Sequence, residues 1–321
     1  MSKVFVTRKI PEAGPNLLRQ AGFEVEVSDF DGVLPREQLL QKVKGADAIL
    51  SLLTDKIDGE VMEAAGPQLK IVANYAVGYD NIDIKAAAER NVIITNTPEV
   101  LTESVAEQAI ALMFAISRRI VESDKFMRGG NYTGWQPMLF LGNDLANKTL
   151  GLVGLGRIGA AVAERMKDGF NMKILYYDVK RNEELEKKFG LEYKDLDSLL
   201  KESDFISIHV PLMPATRHLI GEPQFKIMKK TAYLINTSRG PVIDEKALVV
   251  ALKSGEIKGA ALDVYEEEPK MAPGLAELSN TVLTPHTASA TEETRSAMSE
   301  LAAKNIIAVL DGQPALTSVR I

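Results

Sequence analysis

Short apolar runs rich in β-branched residues alternate with amphipathic segments along most of the chain. In the first hundred residues, segments such as 11–21 and 35–43 have helical periodicity. They separate the predicted strands Lys3–Thr7, Phe23–Ser28, Ala48–Leu52, Lys70–Tyr75 and Val92–Thr95. Strands that alternate with helices are typical of parallel sheets. The pattern therefore predicts an α/β unit in this part of the chain.

The same alternation returns after an Ala-rich helix predicted over residues 102–118, whose apolar residues cover most of its circumference and indicate burial. The later predicted strands are Thr149–Val153, Lys173–Tyr177, Phe205–Ile208, Ala232–Asn236, Ile257–Leu262 and Thr281–Leu283. Six strands with intervening helices make a complete doubly wound nucleotide-binding domain. We therefore predict an α/β chain of two doubly wound, parallel-sheet (Rossmann-like) domains with a cleft between them.

A glycine-rich turn follows the first strand of the second block. Gly154, Gly156 and Gly159 stand in the spacing G-x-G-x-x-G, with a strand before them and a helical pattern after them. The first glycine permits the tight turn, the second lets backbone approach a pyrophosphate, and the third lets helix pack on strand. The unbonded N–H groups at the start of the helix favour an anion. The pattern alone is a weak signal, but its strand–turn–helix setting indicates a dinucleotide site.

Asp178 ends the next predicted strand, about 20 residues after the last glycine. A carboxylate at this place accepts hydrogen bonds from the adenosine ribose and repels a 2′-phosphate, which favours NAD(H). Lys180 and Arg181 follow closely. Because these cations are able to tolerate a phosphate, NADP(H) stays open as the alternative.

Composition narrows the function further. The chain has 321 residues, 45% hydrophobic and 26% charged, with a net charge of −6 and no basic block, so nothing favours nucleic acid or an anionic membrane. It contains no cysteine, which excludes disulfides, thiolate metal sites and cysteine nucleophiles. We find neither a signal peptide nor an apolar run long enough to span a bilayer, and no metal site is indicated. We expect a cytoplasmic protein.

Three segments after late strands carry groups suited to carbonyl chemistry: Arg239, Glu268 and His286. Because ligands bind beyond the carboxyl ends of parallel strands, all three are expected to share one site. Histidine exchanges a proton near neutrality, and a neighbouring carboxylate orients the ring and stabilises its charged form. Arginine grips a substrate carboxylate with two parallel N–H bonds. Taken singly, each residue is equally consistent with a structural role.

The segment Arg128–Pro137 is rich in glycine and holds Trp135, the only tryptophan. An aromatic tip on such an arm suits burial against a partner subunit, with packing on its own subunit as the alternative.

The order of these motifs resembles the D-isomer-specific 2-hydroxyacid dehydrogenase family over essentially the whole chain. The resemblance rests on residues 74–83, the glycine turn, His209 to Leu212, Asn236 to Gly240, Ala261 to Pro269 and Pro285-His286. Within the family, residues 127–142 are most similar to glyoxylate and hydroxypyruvate reductases.

The resemblance implies roles for individual residues. Arg239, Glu268 and His286 would be the substrate-binding and acid–base triad, and the N–H groups of Val77 and Gly78 would hold the substrate carboxylate. In the cofactor site, the glycine turn would include Arg157 and Ile158. The nicotinamide would be lined by Thr102, Thr237 and Asp263. The adenosine half would lie beside His209 and Pro211. Trp135 would reach into the neighbouring subunit's pocket in a homodimer. The implied domains are residues 1–98 plus 288–321 for substrate and 99–287 for the dinucleotide.

The expected function is NADH-dependent reduction of glyoxylate to glycolate and of hydroxypyruvate to D-glycerate. Within the same enzyme class, the alternatives are a phosphoglycerate, 2-ketogluconate or D-lactate dehydrogenase. A formate dehydrogenase is disfavoured, because glutamine would be expected in place of Glu268. The alternative from another class is a non-enzymatic NAD(H)-sensing protein, similar to the transcriptional corepressors that share this fold.

Overall fold

The computed structural model describes residues 1–319, and its helices and strands alternate as the sequence pattern predicts. The strands are β1 (Lys3–Val6), β2 (Glu24–Val27), β3 (Ala48–Leu52), β4 (Ile71–Tyr75), β5 (Ile93–Thr95), β6 (Thr149–Val153), β7 (Lys173–Tyr177), β8 (Glu192–Tyr193), β9 (Phe205–Ile208), β10 (Tyr233–Asn236), β11 (Gly259–Leu262) and β12 (Thr281–Leu283). The helices are α1 (Ala13–Gln20), α2 (Arg36–Lys42), α3 (Gly59–Ala65), α4 (Ile84–Glu89), α5 (Thr102–Ser117), α6 (Ile120–Arg128), α7 (Arg157–Phe170), α8 (Glu183–Phe189), α9 (Leu196–Glu202), α10 (Glu222–Ile227), α11 (Glu245–Ser254) and α12 (Glu292–Leu310).

The chain divides into two compact units. One consists of Met1–Leu101 with Ser289–Ile321, and the other of Thr102–Ala288. The last two residues of the first predicted domain, 320 and 321, lie outside the described residues.

The first unit is built on a five-stranded parallel sheet in the order β2-β1-β3-β4-β5, with the C-terminal helix α12 packed onto it. The hydroxyl of Tyr75, at the end of β4, donates to the carbonyl of Arg295 in α12 at 2.6 Å. Ser299 of α12 accepts the N–H of Gly14 at 3.0 Å, and a Cβ on that glycine would overlap the Ser299 backbone. The last helix therefore belongs to the same core as the first hundred residues.

The second unit is built on a seven-stranded parallel sheet in the order β12-β11-β10-β9-β6-β7-β8. The chain reverses its direction across the sheet between β6 and β9, the switch point at which doubly wound folds bind ligands. Helix α5 packs on α7, β10 and β11, and its buried face includes Ala106, Ala109 and Met113. The prediction of two doubly wound parallel-sheet domains is confirmed.

Every predicted strand is present, with ends that differ from the expectation by at most two residues. The additional strand, Glu192–Tyr193, is exposed and lies at the sheet edge beside β7. No helix within residues 1–319 is long and apolar enough to cross a membrane.

Candidate active site

The glycine turn joins β6 to α7, with Arg157 and Ile158 as the first residues of the helix. Gly154 has φ of 101°, a conformation that side chains rarely adopt, and a Cβ there would lie 2.8 Å from the carbonyl carbon of His209. A Cβ on Gly159 would lie 2.4 Å from the Gly154 oxygen, so the helix packs closely on the turn. At Gly156 a Cβ would meet nothing within 4 Å. This open space before the helix N-terminus fits a bound pyrophosphate.

Asp178 follows β7 and lies beside this turn. Its Oδ2 accepts the N–H of Leu155, within the turn, at 2.8 Å. The predicted ribose-binding carboxylate and the glycine turn thus occur together at the carboxyl ends of adjacent strands β6 and β7. The arrangement fits a nicotinamide dinucleotide whose ribose hydroxyls meet a carboxylate.

His209 and Pro211 follow β9, on the other side of the switch point. The His209 N–H donates to the carbonyl of Val153 at 2.7 Å, and Nε2 lies 2.9 Å from the hydroxyl of Ser207. Burial lowers the pKa of His209 to about 4, so its ring is neutral at physiological pH. A Cβ on Gly159 would lie 3.7 Å from the Cβ of His209, so His209 packs against the glycine turn.

The three candidate triad residues leave the ends of three neighbouring strands. In the sheet, Asn236 at the end of β10 pairs with Leu262 of β11, and Leu262 pairs with Leu283 of β12. The strand ends are level, so the loops carrying Arg239, Glu268 and His286 start from one edge. The parallel register explains why residues distant in sequence meet here.

Glu268 and His286 are hydrogen-bonded to each other. His286 Nδ1 lies 2.9 Å from Glu268 Oε2, and Glu268 Oε1 accepts the N–H of Tyr265 at 3.1 Å. Burial tends to raise the pKa of Glu268, but the hydrogen bond and charge of His286, the Tyr265 N–H and the charge of Arg239 outweigh it and lower that pKa. The carboxylate is thus ionised near neutrality and fixes the imidazole through Nδ1.

A glycine lets the Arg239 and Glu268 loops lie backbone against backbone. A Cβ on Gly240 would lie 1.9 Å from the carbonyl carbon of Tyr265 and 2.5 Å from the nitrogen of Glu266. Arg239 itself is half-buried, and its Nη1 donates to the carbonyl of Ser238 at 2.9 Å. Only a residue without a side chain fits between these two loops.

Asp263, directly after β11, is fully buried and supports the histidine loop. Its Oδ1 accepts the N–H of Thr287 at 2.9 Å, and its Oδ2 accepts the N–H of Ala288 at 2.8 Å. Thr237, after β10, has a buried hydroxyl with no hydrogen-bond partner within residues 1–319. Such a group is the kind that a bound ligand satisfies.

A carboxylate that sequence reasoning missed, that of Glu245, holds the Glu268 loop. Glu245 is 4% exposed and accepts the N–H groups of Glu266 and Ala272, both at 2.7 Å, on either side of Glu268. Glu266 in turn lies 2.5 Å from Nε2 of His218. The sequence places Glu245 in the first turn of α11. Acidic residues are common there because they stabilise the helix N-terminus, so this position alone does not indicate a role in the site.

Four predicted residues remain: Val77, Gly78, Thr102 and Trp135. In the first unit, the carbonyls of Val77 and Gly78 accept the side-chain amides of Asn96 at 2.8 Å and Asn74 at 2.9 Å. Within the described residues the N–H groups of Val77 and Gly78 make no hydrogen bond, which suits an anion. Thr102 is the first residue of α5. Trp135 is 82% exposed within its own subunit.

Residues 1–319 contain no group of three or more acidic or histidine side chains arranged to hold a metal ion.

Comparison with known proteins agrees with this site. Residues 110–288 match the family model described as D-isomer specific 2-hydroxyacid dehydrogenase, NAD binding domain. The chain belongs to the D-isomer-specific 2-hydroxyacid dehydrogenases. A glyoxylate reductase of Thermococcus litoralis is 53% identical over 315 residues, which cover 97% of this chain and 94% of that protein.

Solved structures of relatives have the same fold. The TT0316 protein of Thermus thermophilus is 42% identical with a TM-score of 0.92, covering 99% of this chain and all of that one. An NADPH-dependent glyoxylate/hydroxypyruvate reductase of Sinorhizobium meliloti, determined with NADP and malonate, is 34% identical with a TM-score of 0.86, covering 99% and 96%. The prediction of an enzyme of this family that reduces 2-keto acids with a nicotinamide dinucleotide is confirmed. NAD(H) is favoured and NADP(H) is possible, as Asp178 and its basic neighbours indicated.

Proposed function

We propose that this dehydrogenase reduces glyoxylate to glycolate, and hydroxypyruvate to D-glycerate, with NADH. The observation that carries the proposal is the hydrogen bond between Glu268 and His286, with the charge of Arg239 close enough to lower the pKa of Glu268. An oriented acid and a carboxylate-binding cation at one sheet edge are what reduction of a 2-keto acid requires. The 53% identity to a glyoxylate reductase supports the choice of substrate.

Each member of the triad has a separate task. Nδ1 of His286 is bonded to Glu268, while Nε2 has no hydrogen-bond partner among residues 1–319 and is the atom that donates a proton to the keto oxygen. Glu268 fixes the ring and stabilises its protonated form. Arg239 binds the substrate carboxylate with its guanidinium fork and polarises the carbonyl next to it, with help from the N–H groups of Val77 and Gly78.

The bound dihydronicotinamide supplies the hydride for the keto carbon. The chain holds this cofactor with the glycine turn on the pyrophosphate and Asp178 on the adenosine ribose. His209 and Pro211 lie at the adenosine half, and Thr102, Thr237 and Asp263 at the nicotinamide. We assign residues 1–98 plus 288–321 to the substrate domain and 99–287 to the dinucleotide-binding domain.

The working unit of the proposal is a homodimer, with Trp135 completing the substrate pocket of the neighbouring subunit. The segment around it exposes further large apolar side chains, at Met127, Tyr132, Met138 and Leu141. Such a run of exposed apolar residues on one segment suits a protein interface.

The decisive experiment is to follow NADH consumption with a panel of glyoxylate, hydroxypyruvate, pyruvate, 2-ketogluconate and phosphohydroxypyruvate. We expect the highest kcat/KM with glyoxylate or hydroxypyruvate. A preference for another member of the panel would reassign the substrate. Binding of NADH without turnover of any keto acid would support the sensing alternative.

Two variants test the roles within the triad. We expect His286→Gln to lower kcat by at least about a hundredfold, because the proton donor is lost. Arg239→Lys should act mainly by raising KM, because lysine lacks the planar fork that binds a carboxylate. Full activity in both variants would overturn the assignment.

A further inference from the structure

The loop between β7 and α8 carries an arginine that is already paired with a carboxylate. This loop, residues 178–182, begins with Asp178, at the place where the adenosine ribose of a dinucleotide binds. Arg181 in the loop forms a forked pair with Glu186 of α8: Nε lies 2.7 Å from Oε1 and Nη2 lies 2.7 Å from Oε2. The Nε–Nη2 edge of the guanidinium, one of the two edges that make forked contacts with a phosphate, is thus occupied by a carboxylate.

Glu186 is held in place from the other side. The hydroxyl of Tyr176 donates to its Oε1 at 2.5 Å and accepts the N–H of Asn182 at 2.8 Å. Tyr176 lies fully buried in β7, and the Glu186 side chain is only 11% exposed. Hydrogen bonds from Arg181 and Tyr176 lower the pKa of Glu186 to about 2, so it stays charged at physiological pH. The carboxylate of Glu186 is therefore held to β7 by Tyr176, and the side chain of Arg181, which is 58% exposed, reaches it from the solvent side.

The charges around this loop decide which ribose it accepts. A 2′-phosphate needs a cationic fork, whereas a free 2′-hydroxyl needs an acceptor such as Asp178. Besides Glu186, the first turn of α8 carries Glu183 and Glu184, which add negative charge. Lys180 is the other nearby cation, but lysine is a point charge and offers no fork.

We propose that Glu186 is a specificity-determining residue for the cofactor, because it withholds Arg181 from the 2′-phosphate of NADP(H). Asp178 repels the 2′-phosphate directly. Glu186 acts indirectly, because it pairs with Arg181, the only residue of the loop able to make a forked contact with that phosphate. Breaking the pair converts Arg181 into a phosphate ligand without adding any residue. The inference rests on the dinucleotide site but not on the identity of the keto acid.

The test is the equilibrium binding of NADPH and of NADH, measured calorimetrically without any keto acid. In Glu186→Gln the amide oxygen still accepts from Tyr176, but the charge that binds Arg181 is gone. We expect its Kd for NADPH to fall by about five- to tenfold, the range expected for one charge-assisted fork. Its Kd for NADH should stay within about twofold. The matched control is Glu184→Gln, which removes the same charge from the same turn and should change both constants less than about twofold.

Two Arg181 variants complete the test, and the first does not depend on the folding of Glu186→Gln. Arg181→Lys keeps the charge that neutralises Glu186 and removes the fork, so it should leave the Kd for NADPH within about twofold, because the fork is already withheld. Arg181→Gln combined with Glu186→Gln should abolish the gain. The same order is expected with 2′,5′-ADP against 5′-AMP as probes of the adenosine half alone. The proposal is overturned if Glu186→Gln has no effect on NADPH, if Glu184→Gln matches it, or if Arg181→Lys alone weakens NADPH binding.

Discussion

Glu268 holds His286 with one carboxylate oxygen, at 2.9 Å from Nδ1, and uses the other oxygen to accept the N–H of Tyr265. Both oxygens are thus fixed, and the imidazole cannot rotate without breaking its bond to the carboxylate. Glu245 anchors the same loop through N–H groups on both sides of Glu268. The orientation of His286 therefore depends on the backbone N–H groups of the Glu268 loop that the Glu245 carboxylate accepts.

Glu268→Gln should lower kcat for keto acid reduction by about a hundredfold or more, because the amide neither charges nor fixes the ring. The pH profile should also change. The pKa of Glu268 is lowered, so its carboxylate stays charged and bonded to His286 until the pH falls below the usual range of a glutamate, and the activity that depends on this pair should be lost there. An amide does not titrate, so the variant should lack this loss, and steady-state kinetics across the acid range would show the difference. Glu267→Gln, at the neighbouring exposed position, is the control, and coincident profiles for all three proteins would contradict the prediction.

Gly240→Ala should separate the Arg239 and Glu268 loops. The new methyl group would lie 1.9 Å from the Tyr265 carbonyl carbon, and backbone on both sides must move to accept it. We expect a loss of about 1–3 kcal/mol in the free energy of unfolding, together with a larger fall in activity.

The matched control for this substitution is Gly169→Ala, in the last turn of α7, where a Cβ meets nothing within 4 Å. Alanine there should be neutral or slightly stabilising, because it favours the helix. Denaturant unfolding would compare the two variants, and equal stability of both would show that the loops at Gly240 are free to move apart.

The pair between Arg181 and Glu186 should stabilise the fold in a pH-dependent way. The pKa of Glu186 is lowered from 4.5 to about 2, so the carboxylate contributes stability above about pH 4.5, and that contribution is lost as pH falls toward 2. The difference in Tm between wild type and Glu186→Gln should therefore be largest near neutrality and shrink in acid. Thermal unfolding at a series of pH values measures it, and a difference that stays constant would argue against the pair.

Trp135→Ala should raise KM for the keto acid, by about tenfold, while leaving Tm nearly unchanged. The side chain is 82% exposed within its own subunit, so its removal costs little stability there. Val250→Ala, at an exposed apolar position on α11, is the control. Light scattering during gel filtration should give a dimer for the wild type. A monomer with normal kinetics would exclude a role for Trp135 in a neighbouring pocket.

Hydrophobic periodicity was sufficient to predict nearly all of the fold. The buried strand β9, Phe205–Ile208, lies between the polar residues Asp204 and His209, and its limits were predicted without error. The predicted strand Ile257–Leu262 begins late, at Gly259, because Ile257 and Lys258 complete the turn before it. The strand Glu192–Tyr193 was missed since a two-residue exposed edge strand has no hydrophobic pattern.

The site was predictable as far as chemistry depends on residue type and on position after a strand. Arg239, Glu268 and His286 met both conditions. Glu245 was not predictable, because its importance lies in the two N–H groups it accepts from a loop that is distant in sequence. The pairing of Arg181 was also hidden. It depends on Tyr176 fixing the Glu186 carboxylate, which is a consequence of tertiary packing.

The main chain at His286 adopts φ of 54°, in the left-handed region that few residues other than glycine accept. Asparagine is among the side chains that tolerate this conformation best, whereas β-branched residues resist it. An asparagine in place of His286 would thus delete the imidazole and keep the turn, and a valine would disturb both. Comparing the activity and stability of the two variants would separate the contribution of the imidazole to proton transfer from the contribution of residue 286 to the conformation of the loop.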